Sequence, residues 1–142
     1  SSVFKKNEDR IYYVLNNLEK KFGDIKNKEI AIFGITYKPG TSTLRRSQAL
    51  SVAKILESKG ARLRLHDPAA ERDDVVKDPY MAAKGADAII FLTPWPQFKS
   101  LDFKKLKGVM KEKSVIFDCR NFFKDSNGVI DSVGFKYVGV GR

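Results

Sequence analysis

The residues best equipped for chemistry are cations and hydroxyls gathered in one short stretch. Between Gly34 and Ser47 the chain carries Lys38, Arg45 and Arg46 together with Thr41, Ser42 and Thr43. Ammonium, guanidinium and hydroxyl groups donate hydrogen bonds and bring positive charge, which suits a phosphate. Another cation, Arg120, stands in Asp118-Cys119-Arg120-Asn121. The same residues also suit a solvated basic loop, because most charge clusters are only wet surface. Where the loops sit in the fold separates the two readings.

Other chemistries find little support. One cysteine, Cys119, allows no disulfide within the chain and no cysteine-based zinc cluster. One histidine, His66, gives no multi-histidine site. Neither has a partner at a spacing that suggests nucleophilic catalysis, so both read as structural. No catalytic residue and no metal ligand is assigned.

The elements that position the cations follow from apolar pattern. Ile30 to Phe33 is short and β-branched enough for a buried strand. After the polar loop, Leu50, Val52, Ala53 and Leu56 recur at helical spacing, and Gly60 ends that helix. Arg62 to His66 is a second strand, stopped by Asp67-Pro68. Strand, loop, helix and strand make one βαβ unit of a parallel sheet. In such a unit ligands sit beyond the carboxyl end of the strand, where Gly34 to Ser47 lies. Asp78-Pro79 is an N-cap with proline at the first helical position, opening a short helix through Lys84. Ala88 to Leu92 and Ser114 to Phe117 are further buried strands, with an amphipathic helix over Asp102 to Met110 between them. Arg120 follows the later strand and is expected at the same rim as Lys38 and Arg45. Thr93-Pro94-Trp95-Pro96 is a rigid loop, whose Trp95, with Phe98, either packs on the domain or stacks on a base. Asn127-Gly128 reads as a turn, and Phe135 to Val140 as a last strand.

The expected fold is therefore α/β: a Rossmann-like parallel sheet of about five strands, in the order 2-1-3-4-5, with flanking helices. There is no G-x-G-x-x-G after the first strand; the sequence is Gly34-Ile-Thr-Tyr-Lys-Pro-Gly40. A phosphate ligand would be held by side chains more than by a glycine loop. Residues 1–22 form an amphipathic helix with Ile11, Val14, Leu15 and Leu18 on one face, ended by Gly23. Periodicity alone leaves it either an ordinary packed helix or part of a connector.

With 142 residues the chain suffices for one domain with a core. No apolar run approaches a membrane span. No secretory signal is visible, and the lone cysteine fits a reducing cytoplasm. The net charge of +10 first suggests nucleic acid. Yet the lysines are spread, no aromatic-interleaved basic motif stands out, and Lys104, Lys105, Lys107, Lys111 and Lys113 read as a solvated helix face. The pattern points away from nucleic acid.

Four blocks carry a resemblance. Gly34-Ile-Thr-Tyr-Lys-Pro-Gly-Thr-Ser-Thr-Leu-Arg-Arg-Ser, Gly60-Ala61 before Asp67-Pro68, Thr93-Pro-Trp95-Pro-Gln-Phe98, and Asp118-Cys-Arg120-Asn121 stand in this order. Together they resemble the UDP-glucose/GDP-mannose dehydrogenase family, in its C-terminal, nucleotide-sugar-binding domain. The resemblance implies an NAD-dependent enzyme that oxidises the C6 hydroxyl of a nucleotide sugar to a carboxylate; the residues do not choose between UDP and GDP, and a UDP-sugar is expected from the family's abundance alone. NAD and the catalytic cysteine would belong to an N-terminal domain outside this chain. Residues 1–23 would be the tail of the connecting helix that carries the homodimer contact, and residues 24–142 the substrate-binding domain. Lys38 would contact the sugar nucleotide, Arg120 its nucleotide, and Arg45 would reach NAD, with Tyr37 and Ser47 shaping the loop. Two departures bear on Arg45. The family usually has an acid within the segment that here reads Thr41-Ser-Thr-Leu-Arg, and commonly Glu where this chain has Arg46. The loop is correspondingly more cationic. Two other classes stay open: a stand-alone phospholigand-binding module and a basic nucleic-acid-binding domain.

Overall fold

A computed structural model describes residues 2–44 and 47–139 of the chain. The chain order is α1 (Ser2–Phe22), β1 (Glu29–Phe33), α2 (Gln48–Ser58), β2 (Arg62–His66), α3 (Pro79–Ala83), β3 (Ala88–Phe91), α4 (Phe103–Val109), β4 (Val115–Asp118), α5 (Asn127–Ser132) and β5 (Lys136–Gly139). Short 3-10 turns occupy Pro96–Ser100 and Lys124–Ser126. Among the described residues the strands form one five-stranded sheet in the order β2-β1-β3-β4-β5. Every neighbouring pair is parallel. The order and direction are those the sequence predicts.

Parallel strands need crossovers, and the crossovers cover both faces, so the buried residues of β1, β3 and β4 are apolar up to Asp118, the last of β4. Alternation sorts their side chains. Ile30, Ile32, Ile90 and Phe117 face one layer, with Val14, Leu15 and Leu18 of α1 and Val52, Ala53 and Leu56 of α2. Ala31, Phe33, Ile89, Phe91 and Ile116 face the other, with Ala82 and Ala83 of α3, Phe103 and Leu106 of α4 and Ile130 of α5. The α1 face read from its period is thus packed on the sheet at Val14, Leu15 and Leu18, while Tyr12 is exposed.

The helix starts follow local chemistry. Asp78 accepts from the Tyr80 N–H at 2.9 Å, and Asp102 from the Lys105 N–H at 3.0 Å, each satisfying an otherwise unpaired amide of the first turn. Asn127-Gly128, expected as a turn, instead opens α5. The reason is topological: β4 and β5 are parallel, so the chain must cross the sheet between them, and burying Ile130 shapes that crossing into a helix. At the amino edge of the sheet, Asp87 accepts from the Glu29 N–H at 2.9 Å and from Lys111 Nζ at 3.0 Å. That bond pushes the Lys111 pKa above its ordinary value. Lys111 is half exposed, so the pair adds under about 1 kcal/mol.

Candidate functional site

The register aligns the carboxyl ends of the strands. Phe33 pairs with His66 and with Phe91, Phe91 with Asp118, and Asp118 with Gly139. The loops after β1, β2, β3 and β4 therefore leave from one edge. Tyr37 and Lys38 lie on the first of these loops and Arg120 on the last. Their parent strands, β1 and β4, are two positions apart, about 10 Å at the strand spacing. Arg45 lies outside the described residues.

One buried carboxylate organises the first loop. Asp67, immediately after β2, is fully buried. Its Oδ2 accepts from the N–H groups of Ile35 at 2.7 Å and Thr36 at 2.9 Å, and from the Thr36 hydroxyl at 2.9 Å. Trp95 Nε1, from the loop after β3, donates to the same oxygen at 3.2 Å and to the Thr36 hydroxyl oxygen at 2.9 Å. Asp67 Oδ1 accepts from the Ala69 and Ala70 N–H groups at 2.8 and 3.0 Å. The Thr93 hydroxyl donates to the Thr36 carbonyl. Three loops from three strands thus meet at Asp67. A buried ion needs this many donors, because its hydration is lost.

Beyond this anchor the loop closes on itself. The Tyr37 N–H donates to the Thr43 carbonyl at 2.7 Å, and the Thr43 N–H to the Thr41 hydroxyl at 3.1 Å. Ser47 places its hydroxyl on the Ile35 carbonyl and does not cap α2 with it. Tyr37 and Lys38 are presented outward at the tip: both are exposed, and Lys38 makes no ion pair with a described residue. Gly34 permits the whole arrangement. Its φ is +91°, and a Cβ there would lie 2.4 Å from the Thr93 carbonyl oxygen.

The β4 loop repeats the device. Asp118, buried, accepts from the Arg120 N–H at 3.1 Å, the Phe123 N–H at 2.7 Å and the Tyr137 hydroxyl at 2.7 Å. Arg120 is held by its backbone while its side chain is exposed. Between α1 and the ends of β4 and β5 the surface is only slightly indented, along Tyr13, Asn17, Asp118 and Gly139 among others.

The remaining candidates turn inward. Trp95 and Phe98 are buried, which decides for packing over base stacking in this chain. Phe98 lies against Phe33 and Phe91 at 5.8 and 5.3 Å between ring centroids. Cys119 is buried and forms no disulfide. His66 packs on Phe33 at 4.8 Å and donates from Nδ1 to the Val76 carbonyl at 2.8 Å. Burial pushes its pKa below the usual histidine value. Among the described residues no group of three or more His, Cys, Asp or Glu is arranged to hold a metal. None of their helices is long and apolar enough to cross a membrane.

Comparison with known proteins gives a consistent picture. Residues 31–125 match the UDP-glucose/GDP-mannose dehydrogenase family, UDP binding domain. A UDP-glucose 6-dehydrogenase of Rhizobium meliloti is 37% identical over 128 residues, which are 84% of this chain and 29% of that protein. Among solved structures, a UDP-D-ManNAc dehydrogenase from Pyrococcus horikoshii superposes with a TM-score of 0.77 at 30% identity, over 93% of this chain and 30% of that one. A UDP-glucose dehydrogenase from Pyrobaculum islandicum gives 0.76 at 28% identity, over 97% and 31%. The chain spans about 30% of the length of these relatives.

Proposed function

The chain belongs to the UDP-glucose/GDP-mannose dehydrogenase family, as its UDP-binding domain, and on that basis we propose that it binds the UDP part of a UDP-sugar within an NAD-dependent nucleotide-sugar 6-dehydrogenase. The parent enzyme would oxidise the sugar C6 hydroxyl to a carboxylate. The observation that carries the reading is the family match falling on a sheet edge where Lys38 and Arg120 leave from parallel strands of one sheet. Lys38, exposed and without an acidic partner among the described residues, supplies an ammonium to the sugar nucleotide. Arg120, set by the hydrogen bond of its N–H to Asp118, supplies a guanidinium to the nucleotide. Tyr37 borders both.

The β1 loop does not fit NAD as a dinucleotide cradle. It lacks the glycine fingerprint, and the side of Gly34 that would carry a Cβ is closed by the Thr93 backbone. NAD would be held by an N-terminal domain, which also supplies the catalytic cysteine, and Arg45 would reach toward it. Residues 1–23 would be the tail of the connector to that domain and contribute to a homodimer, and residues 24–142 the substrate-binding domain proper. Cys119, buried in the domain, takes no part in the reaction. The proposed compartment is the cytoplasm, where a UDP-sugar, NAD and a reduced thiol coexist.

Calorimetric titration of the chain with UDP, GDP and UDP-glucose tests the reading. Saturable binding of UDP, weakened about tenfold or more by Lys38→Ala, is expected from the loss of one charge-assisted hydrogen bond. The net charge of +10 favours one alternative, a nucleic-acid-binding domain. Salt-sensitive DNA binding indifferent to Lys38→Ala, with no UDP binding, would establish that alternative.

A further inference from the structure

We propose that Asp67 is a positioning residue. Acting through Thr36 and Trp95, it fixes the loop that presents Tyr37 and Lys38, so that the loop is ordered before a nucleotide arrives. The inference rests on the nucleotide reading above and goes beyond it by naming what gives the edge its shape. None of the three residues offers itself to a ligand: Asp67, Thr36 and Trp95 are all buried.

The geometry is specific. The Ile35 and Thr36 amides have left the strand ladder, and both donate to Asp67 Oδ2 in place of a neighbouring strand. The Thr36 hydroxyl donates to that oxygen and accepts from Trp95 Nε1, so it links the carboxylate to the indole. Two residues further on, Lys38 sits at the exposed tip. Asp67 belongs to the β2 end, Trp95 to the loop after β3, and Thr36 to the loop after β1. One carboxylate therefore locks three loops into a single body. A loop fixed in this way does not lose its freedom again on binding, which raises affinity without a further contact. The buried indole N–H needs a partner and finds it in this network, and a strand-ending aspartate would not need to be fully buried.

Asp67→Asn is the direct variant but risks misfolding, so two gentler changes are preferred. Thr36→Val keeps the shape and removes the hydroxyl; Trp95→Phe keeps an aromatic ring and removes the N–H. Thr36→Ser restores the hydroxyl and is the rescue. Two readouts are taken on the whole chain: hydrogen exchange of the amides of residues 35–44 without ligand, and the dissociation constant for UDP. Thr36→Val and Trp95→Phe are expected to speed exchange in that loop while the β3 and β4 amides keep their protection. They are expected to weaken UDP about tenfold, with Thr36→Ser close to the parent. Unchanged loop exchange in both variants overturns the proposal. So does faster exchange with UDP affinity unaltered, because the network would then be only structural. If the loop loosens as expected but the parent chain does not bind UDP, the fastening of the loop stands and the nucleotide reading falls.

Discussion

Replacing Gly34 by alanine is the sharpest test of how the edge is built. Two separate costs apply. The first is backbone strain: φ is +91°, a region where a Cβ costs about 1–2 kcal/mol. The second is collision. The new Cβ would stand 2.4 Å from the Thr93 carbonyl oxygen, 2.7 Å from its nitrogen and 2.8 Å from its Cβ. Those are mainly backbone atoms of the neighbouring segment, so no flexible side chain can swing away. Moving Thr93 costs about 1–3 kcal/mol as overpacking. It also stretches the Thr93 hydroxyl bond to Thr36 and the Thr93 N–H bond to Gly34, each worth roughly 1 kcal/mol. The expected loss is about 4–7 kcal/mol. Gly40 supplies the control. Its φ is +86°, but nothing lies within 4 Å of a Cβ there, so Gly40→Ala carries the strain alone, about 1–2 kcal/mol.

Equilibrium urea unfolding of both variants measures the difference. With a slope of about 1–3 kcal/mol per molar, Gly34→Ala should lower the midpoint by roughly 1–3 M more than Gly40→Ala. UDP affinity should fall with it, because a displaced Thr93 carries Trp95 away from Thr36. Equal midpoints for the two variants would show that the β1 and β3 ends are not packed as described, and the Asp67 network would lose its geometric basis.

Two further predictions are independent of the ligand. Burial lowers the His66 pKa in the folded chain from 6.5, so the unfolded chain binds the proton more readily. Stability should be full above about pH 6.5 and decline as pH falls from there toward the folded pKa; His66→Asn, which keeps a donor for the Val76 carbonyl, should flatten that slope in urea melts at graded pH. Cys119, buried and in no disulfide, should resist an aqueous thiol reagent in the native state and react fully in denaturant, and rapid native labelling would contradict its burial.

The sheet was legible because its signals are local. Ile30–Phe33, Ala88–Phe91 and Val115–Phe117 are unbroken apolar runs between polar ones, as strands covered on both faces must be, and Gly60 and Asp78 mark helix ends by their own chemistry. α5 was not legible. It has six residues and holds its shape through Ile130 in the core, so its signal is tertiary. The edge was half legible. Lys38 and Arg120 could be assigned to it because parallel strands put their following loops on one side. Asp67 could be read only as the end of a strand, since its partners, Thr36 and Trp95, come 31 residues before and 28 after it and meet only through strand order. The two readings of Trp95 separate on a fact no sequence carries, its burial in the folded domain.

The two strand-end aspartates also decide which sign of ligand this edge can take. Acids at the mouth of a sheet would ordinarily argue for a cation. Here Asp67 accepts from Ile35, Thr36, Trp95, Ala69 and Ala70, and Asp118 from Arg120, Phe123 and Tyr137, all within the domain. Their lone pairs point inward and their charge is answered by oriented N–H and O–H groups. The acids build the loops; among the side chains left at the surface of the β1 and β4 loops are Tyr37, Lys38 and Arg120. With the two strand-end acids used internally and Lys38 and Arg120 exposed, this part of the edge favours an anion whatever the anion's name. A pyrophosphate with a base attached is such an anion. A simple electrostatic contrast follows: a nucleoside diphosphate should bind the chain more tightly than the uncharged nucleoside by a margin that shrinks as salt is added.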